Sequence, residues 1–312
     1  MAAYVIRRLL QTLPTLLGVI VLVFVLFRFF GGDPAEILGG LDATPEQIVQ
    51  IRDQLGLNRP VLEQLWLFVQ QIFTFHWGSS WATHESVADL FASRLPATLT
   101  VMGPILLLDS LLALPIALVV ARWRGGLTDR LVMLITTVAL SISFLVYVIV
   151  GQWLFGFKLG WFPVQGWDAH AWTNLVHYAP LPVLLAVAVG LSPQTRLYRS
   201  FMLDEVDQDY VRTARAKGLS ERRILFGHVL PNALIPVVTH IGVQLPGLFV
   251  GSFLIEVFFS IPGLGREVML AVNRSDYPVI QAVTVYLAAI TMAVNLLTDL
   301  TYRWLDPRVE LR

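Results

Sequence analysis

The stretch Asp204-Glu205-Val206-Asp207-Gln208-Asp209-Tyr210-Val211-Arg212-Thr213-Ala214-Arg215-Ala216-Lys217-Gly218-Leu219-Ser220-Glu221-Arg222-Arg223 has acids first, cations after them and a glycine before the second half. Asp207 or Asp209 is suited to satisfy the free N–H groups at a helix start. Arg215 and Lys217 suit the negative end of that helix, and Gly218 can take the left-handed conformation that stops it. Ser220 is placed to cap a second helix running through Ile224 and Leu225 toward Pro231. The order of charges therefore predicts a short helix, a glycine corner and a second helix within the polar segment 195–232.

Apolar sequence flanks this segment on both sides. The hydrophobic residues make up 56% of the 312-residue chain, the charged ones only 14%, and the mean hydropathy is +0.67. Too few charges are present to cover a soluble body of this size, and disorder is excluded by the same count. Cations and acids number 22 each, so no excess positive charge is available for nucleic acid. Cysteine is absent, which removes disulfides, thiolate metal sites and thiol nucleophiles.

A bilayer core needs roughly 20 apolar residues in a helix. Six runs meet that length or approach it: Leu9 to Phe30, Thr98 to Val120, Leu131 to Phe157, Leu175 to Ser192, Ala233 to Phe259 and Val279 to Leu300. The fourth is short and opens on Pro180 and Pro182, so its outer end is expected to be irregular. With the N-terminus inside, the inner segments carry 15 of the cations and the outer ones six, which places both termini in the cytoplasm. Seven of the 15 lie in 195–232. The expected fold is all-α and polytopic: residues 1–97 give the first span and a long outer loop, and 98–312 the remaining spans with the loop 195–232.

The outer segment from Gly31 to Ala97 holds eight acids and three bases. Val61, Leu62, Leu65, Trp66, Phe68, Val69, Ile72 and Phe73 recur at helical spacing and predict an amphipathic helix on the membrane surface or the bundle. Trp77, Trp81, Trp161, Trp167 and Trp172 fall on the outer side, where such rings favour the interface.

The loop resembles that of ABC importer permeases. In their general pattern Glu-Ala-Ala is followed by three residues, Gly, nine residues, Ile, any residue and Leu-Pro. Ala214, Gly218, Leu230 and Pro231 match it, whereas Arg212, Thr213 and His228 depart. The departures are similar to one subgroup, the dipeptide, oligopeptide and nickel permeases, whose characteristic run stands here from Asp209 to Ser220. Further matches are Ile6-Arg7-Arg8-Leu9, Gly32-Asp33-Pro34, Pro96-Ala97-Thr98, Pro231-Asn232-Ala233-Leu234, Phe259 to Arg266, Asp276-Tyr277-Pro278 and Asp306-Pro307-Arg308. The early Gly-Asp-Pro and long first loop resemble the first of the two permease subunits in such systems.

This resemblance implies a type I importer transmembrane domain in the bacterial cytoplasmic (inner) membrane. Its implied partners are a second homologous permease subunit, two ABC ATPase subunits and an extracytoplasmic solute-binding protein, besides the lipid bilayer. Asp209, Tyr210, Arg212, Thr213, Ala214, Arg215, Lys217, Gly218, Leu230 and Pro231 would form the part that couples to the ATPases. No G-x-x-x-x-G-K-[ST] phosphate loop is present, so ATP and Mg²⁺ would sit on the partner subunits and this chain would bind no cofactor. The implied solute is a dipeptide or oligopeptide, with nickel, glutathione or another small solute as the alternative.

Several polar residues fall inside apolar runs, where ionisable groups are expensive. Asp109 lies near the middle of the second run; Glu256 and Asp299 lie near span ends, where they could reach interfacial water. His240 and Gln244, four apart, share a helix face and could meet solute or bond to another helix. Gly247 and Gly251 form a G-x-x-x-G that suits close helix packing, within the subunit or against a second permease. The six histidines include no H-E-x-x-H or compact metal set. The competing class is an intramembrane enzyme using Asp109 and Asp299, a pair without a recognisable motif.

Overall fold

The structure is a computed structural model that describes residues 2–40 and 42–305, with side chains beyond Thr298 and those of 1–6, 8 and 9 outside the description. The Asp306-Pro307-Arg308 motif and the side chains of Asp299 and of most of Ile6-Arg7-Arg8-Leu9 therefore lie outside the description. Helices account for nearly all regular structure, and among the described residues the one β feature is an isolated bridge between Ser79 and Ser86.

Four helices are long and apolar enough to cross a membrane: Leu10–Phe29, Val87–Arg122, Glu221–Phe258 and Tyr277–Thr298. Two further pairs pass only together. Leu127–Ser141 and Phe144–Lys158 meet at 87°, and Ala171–Tyr178 meets Pro180–Val206 at 55°. The third apolar run is thus a bent pair rather than a straight span. Its break falls at Ile142 and Ser143, where Tyr147 Oη donates to Ala139 O across the bend at 3.1 Å. The irregular entry to the fourth run takes the form of a π-helical turn, Asn174–Tyr178, before Pro180 opens the next helix. That helix continues to Val206, well past Ser192.

Two compact units divide the chain. One comprises 1–97 and 262–296; the other comprises 98–261 and 297–311. In the first unit the amphipathic segment forms a helix, Val61–Phe73. Phe68, Val69 and Ile72 pack against Ile20 and Val23 of the helix Ala2–Phe29, while Leu62 and Trp66 stay exposed. A second cluster joins Val87, Leu90 and Phe91 to Leu264, Ala271, Val279 and Ala282. Asp276 is buried beside it and accepts hydrogen bonds from Ser80 Oγ, Trp81 N (3.0 Å) and Ala82 N (3.3 Å), which holds the turn after Gly78. Asp33 caps Pro34–Gly39 by accepting from Ala35 N and pairs with Arg52. Burial acts to raise the pKa of its carboxyl, but the Arg52 and Ala35 bonds outweigh it and hold the group below the usual carboxylate range.

Among the described residues of the second unit, two apolar clusters lie beside the loop and the helices that carry it. Ala113, Ala117, Tyr198 and Val237 make one; the other gathers Leu118, Ala121, Met202, Val211, Ala214, Ile224, Leu225, Val229 and Ala233. Arg199 clamps Asp129 with two bonds, Nε to Oδ1 at 2.8 Å and Nη2 to Oδ2 at 2.7 Å, and Gly125 N also donates to Asp129. A bidentate guanidinium–carboxylate pair of this kind fixes orientation as well as charge.

Candidate docking loop and interhelical polar network

The segment after Val206 folds as a helix, Asp209–Ala216, a corner at Gly218 and a second helix from Glu221. Val211 and Ala214, three apart, point to one side and are buried among Met202, Ile224, Leu225, Val229 and Ala233. The other side leaves Asp209, Arg212, Thr213, Arg215 and Lys217 exposed. The short helix is therefore anchored by an apolar pair and presents a charged, accessible face.

Its end has a complete Schellman arrangement. Gly218 has φ +77°, its N–H donates to Arg215 O at 2.9 Å, and Leu219 N donates to Ala214 O at 3.3 Å. Leu219 packs against the cluster that contains Ala214, the apolar contact that accompanies this motif. A Cβ on Gly218 would meet nothing within 4 Å, so only the backbone conformation calls for glycine there.

Other details depart from the capping expectations. Gln208 occupies the first cap and makes no side-chain capping bond; Asp207 instead pairs with Arg124 at 2.8 Å, and Asp209 pairs with Arg212 at 3.4 Å. Ser220 is at the second cap, but through its backbone carbonyl, which accepts from Ile224 N at 3.0 Å. Arg215 grips Glu221 across the corner at 2.7 and 3.3 Å. The second helix does not stop near Pro231. A π-helical turn, Leu225–Val229, with Leu230 N bonded to Leu225 O, leads directly into Leu230–Val250, so the second helix is continuous with the fifth apolar run.

Tyr210 ties the two halves together: its hydroxyl donates to Glu205 and accepts from Asn232 Nδ2 at 3.2 Å. Burial, with the hydrogen bond and negative charge of Glu205, pushes its phenol up to about 12. His228 takes part through its carbonyl, which accepts from Asn232 Nδ2 at 2.7 Å. Phe226, exposed beside Ser220, Arg222 and Arg223 around a shallow hollow, extends the accessible surface beyond the residues expected from sequence.

A second polar group in the same unit links Pro180–Val206 to Leu230–Val250. His240 Nε2 accepts from Gln244 Nε2, which also donates to Gln194 Oε1 at 3.0 Å; His240 Nε2 lies 3.3 Å from that oxygen. Gln194 Nε2 in turn donates to Tyr198 Oη at 2.7 Å and reaches Ser110 Oγ at 3.4 Å. His240 and Gln244 thus bond to another helix. Gln194, which joins them, stands beside Pro193 just past the fourth apolar run and gave no periodic signal.

Asp109, next to Ser110, remains outside this network. Its Oδ1 is buried without a hydrogen-bond partner among the described residues, and the carboxyl packs on Gly190, where a Cβ would come within 2.8 Å of Asp109 Cγ. Glu256 is not at interfacial water: it is 1% exposed and accepts from Thr98 Oγ1 at 3.0 Å. The two glycines of the G-x-x-x-G differ. Gly247 has open space around it, whereas Gly251 has φ +74°, ends Leu230–Val250 and leaves no room for a Cβ against Glu256 and Thr98. Gly251 is therefore a helix stop, not half of a packing stripe. Among the described residues no His, Asp or Glu group of three is arranged to hold a metal ion.

Comparison with known proteins covers both the loop and the rest of the chain. Residues 113–311 match the family described as binding-protein-dependent transport system inner membrane component, and residues 1–102 match the N-terminal family of such membrane components. The glutathione transport system permease protein GsiC of Salmonella paratyphi A is 36% identical over 312 residues, all of both chains. GsiC of Escherichia coli K12 is 36% identical over 313 residues, and that of Shigella flexneri serotype 5b 37% identical over 316, again over the full length of each. The chain thus belongs to the binding-protein-dependent transport system inner membrane component family, as a permease subunit of an ABC importer of the peptide and nickel group.

Proposed function

We propose that this permease carries a small peptide-like solute, glutathione or a short peptide, inward by alternating access, driven by ATP and Mg²⁺ bound on two partner ATPases. The two bent pairs count as one span each, giving six spans with both termini in the cytoplasm, and the loop 195–232 meets the ATPases. A second permease completes the pathway, and an external binding protein delivers the solute. The observation that carries this reading is the helix Asp209–Ala216. It is locked to the core by Val211 and Ala214 and stopped by a Schellman corner, beyond which the second helix, from Glu221, runs through a π-helical turn into the fifth apolar run. Such an element moves as one body, which is what transmission of ATPase closure to the membrane helices requires. The full-length match to relatives named for glutathione transport supports the solute class.

The test is reconstitution of this chain with its second permease, ATPases and binding protein in vesicles. ATP-dependent accumulation of labelled glutathione or dipeptide, absent when the binding protein is omitted, is expected. Accumulation of neither solute would overturn the solute class, and absence of any coupling between ATP hydrolysis and these subunits would overturn the mechanism.

A further inference from the structure

Within the unit formed by 1–97 and 262–296, the end of the first long helix, the segment after it and Tyr277 to Ala282 line an open cavity of about 620 Å³. Its wall carries Arg28, Arg59 and His84 but no aspartate or glutamate. That is notable in a segment where acids outnumber bases eight to three. The nearby acids are already engaged: Asp33 accepts from Ala35 N and pairs with Arg52, and Glu63 binds Arg59 Nη1 at 3.0 Å.

Although its charge also acts on Asp33, Arg28 makes no ion pair at contact distance among the described residues. Its Nη2 donates to the neutral carbonyl of Leu57 at 3.3 Å, and its Nε is buried without a hydrogen-bond partner among the described residues. A guanidinium presents a rigid fork that fits two oxygens of one carboxylate or phosphate, and one long bond to a carbonyl leaves that capacity open. A last-turn arginine also complements the negative end of its helix, Ala2–Phe29. That role explains neither the buried Nε nor the acid-free cavity. Gln54, Gln71 and Gln281 also face the space, and among the described residues their side chains make no hydrogen bond to the protein. Aromatic rings supply an apolar wall, with Tyr277 centred 5.1 Å from Phe27 and 5.4 Å from Trp81.

We propose that this cavity is a binding site for a small anionic group, a carboxylate or a phosphate ester, held by Arg28 with Arg59 and the glutamines and backed by the aromatic wall. The group has two sources, an anionic phospholipid headgroup or a free carboxylate-bearing solute. The site does not depend on which solute is transported: loss of anion binding with uptake unchanged would leave the transport reading intact.

The experiment uses the full-length chain in phosphatidylcholine nanodiscs. One arm adds phosphatidylglycerol and reads bound lipid by native mass spectrometry; the other titrates glutathione calorimetrically. Saturable binding is expected in one arm, weakened at least about tenfold in Arg28→Gln. Gln71→Glu keeps Arg28 but adds a negative charge to the wall, and is expected to weaken the same arm; it decides the matter if Arg28→Gln fails to fold. Binding in the lipid arm identifies a headgroup site, and binding in the glutathione arm a solute site. No binding in either arm, or binding left unchanged in correctly folded variants, would overturn the proposal.

Discussion

The docking loop and the polar group around Gln194 belong to the same unit, yet they are built on opposite terms. Around Gly218 the elements of the loop are joined by bonds and packing: the corner carries both Schellman bonds, Arg215 holds Glu221 from across it, and Tyr210 links Glu205 to Asn232. In the polar group Gln194, His240 and Gln244 satisfy one another, while beside it Asp109 Oδ1, one helix position from Ser110, is buried without a hydrogen-bond partner among the described residues. The first arrangement suits an element that must move as one piece. The second retains an uncompensated polar atom that a helix shift or water would satisfy, as expected where a structure has more than one working conformation.

The largest effect should come from breaking the anchor of the loop. Val211→Asp places an unpaired charge in a fully buried site and should cost about 3–5 kcal/mol, read as loss of thermal stability or of assembly with the ATPases. If the variant melts like the wild type, the helix is not anchored as described. Next is the contact that separates the two regions. Gly190→Ala drives a methyl against Asp109 and should cost about 1–3 kcal/mol by overpacking, while the double variant Gly190→Ala with Asp109→Ala should regain most of it. Strictly additive losses would show that the two residues do not share the space.

Gly218→Val tests the corner. With open space around it, the penalty is conformational, about 1–2 kcal/mol for a β-branched residue held at φ +77°, and coupling should fall with it. Transport and ATPase association equal to wild type would contradict the account. The smallest effect concerns Tyr210. Its folded pKa lies above the unfolded value of 10.0, so its contribution is complete below pH 10 and is lost as pH rises toward about 12. A difference ultraviolet titration, wild type minus Tyr210→Phe, should show one phenol ionising near pH 12; ionisation near pH 10 would remove the Glu205 bond from the description.

The same contrast explains what could be read from the sequence. Helix, corner and second helix were legible because capping is local: Gly218 after Arg215 and Lys217 signals a stop wherever it occurs. The residues that perform the capping were not, since Asp207 is drawn away by Arg124, a residue 83 positions distant. The π-helical turn before Leu230 was invisible for a related reason: its i to i−5 bond reflects how Leu225 and Val229 pack, not a residue preference. Around the polar group, the length of the apolar runs located the helices but not Gln194, because one amide at the edge of a hydrophobic run leaves no mark on that length. The bend of 87° fell inside a continuous apolar run with only Ser141 and Ser143 to mark it. Glu256 looked like an interfacial residue by position, and the break at Gly251 is what turns it inward against Thr98.

The central claim is that the exposed face of Asp209–Ala216 seats in an ATPase subunit and transmits its movement. Because the chain contains no cysteine, Arg212→Cys gives a single thiol on that face, to be paired with a cysteine introduced in the groove of the partner ATPase. The account predicts a disulfide cross-link in the assembled transporter under mild oxidation, with solute uptake halted while it is closed and restored on reduction. An assembled, ATP-hydrolysing transporter in which Arg212→Cys cross-links to no position of either ATPase would contradict it.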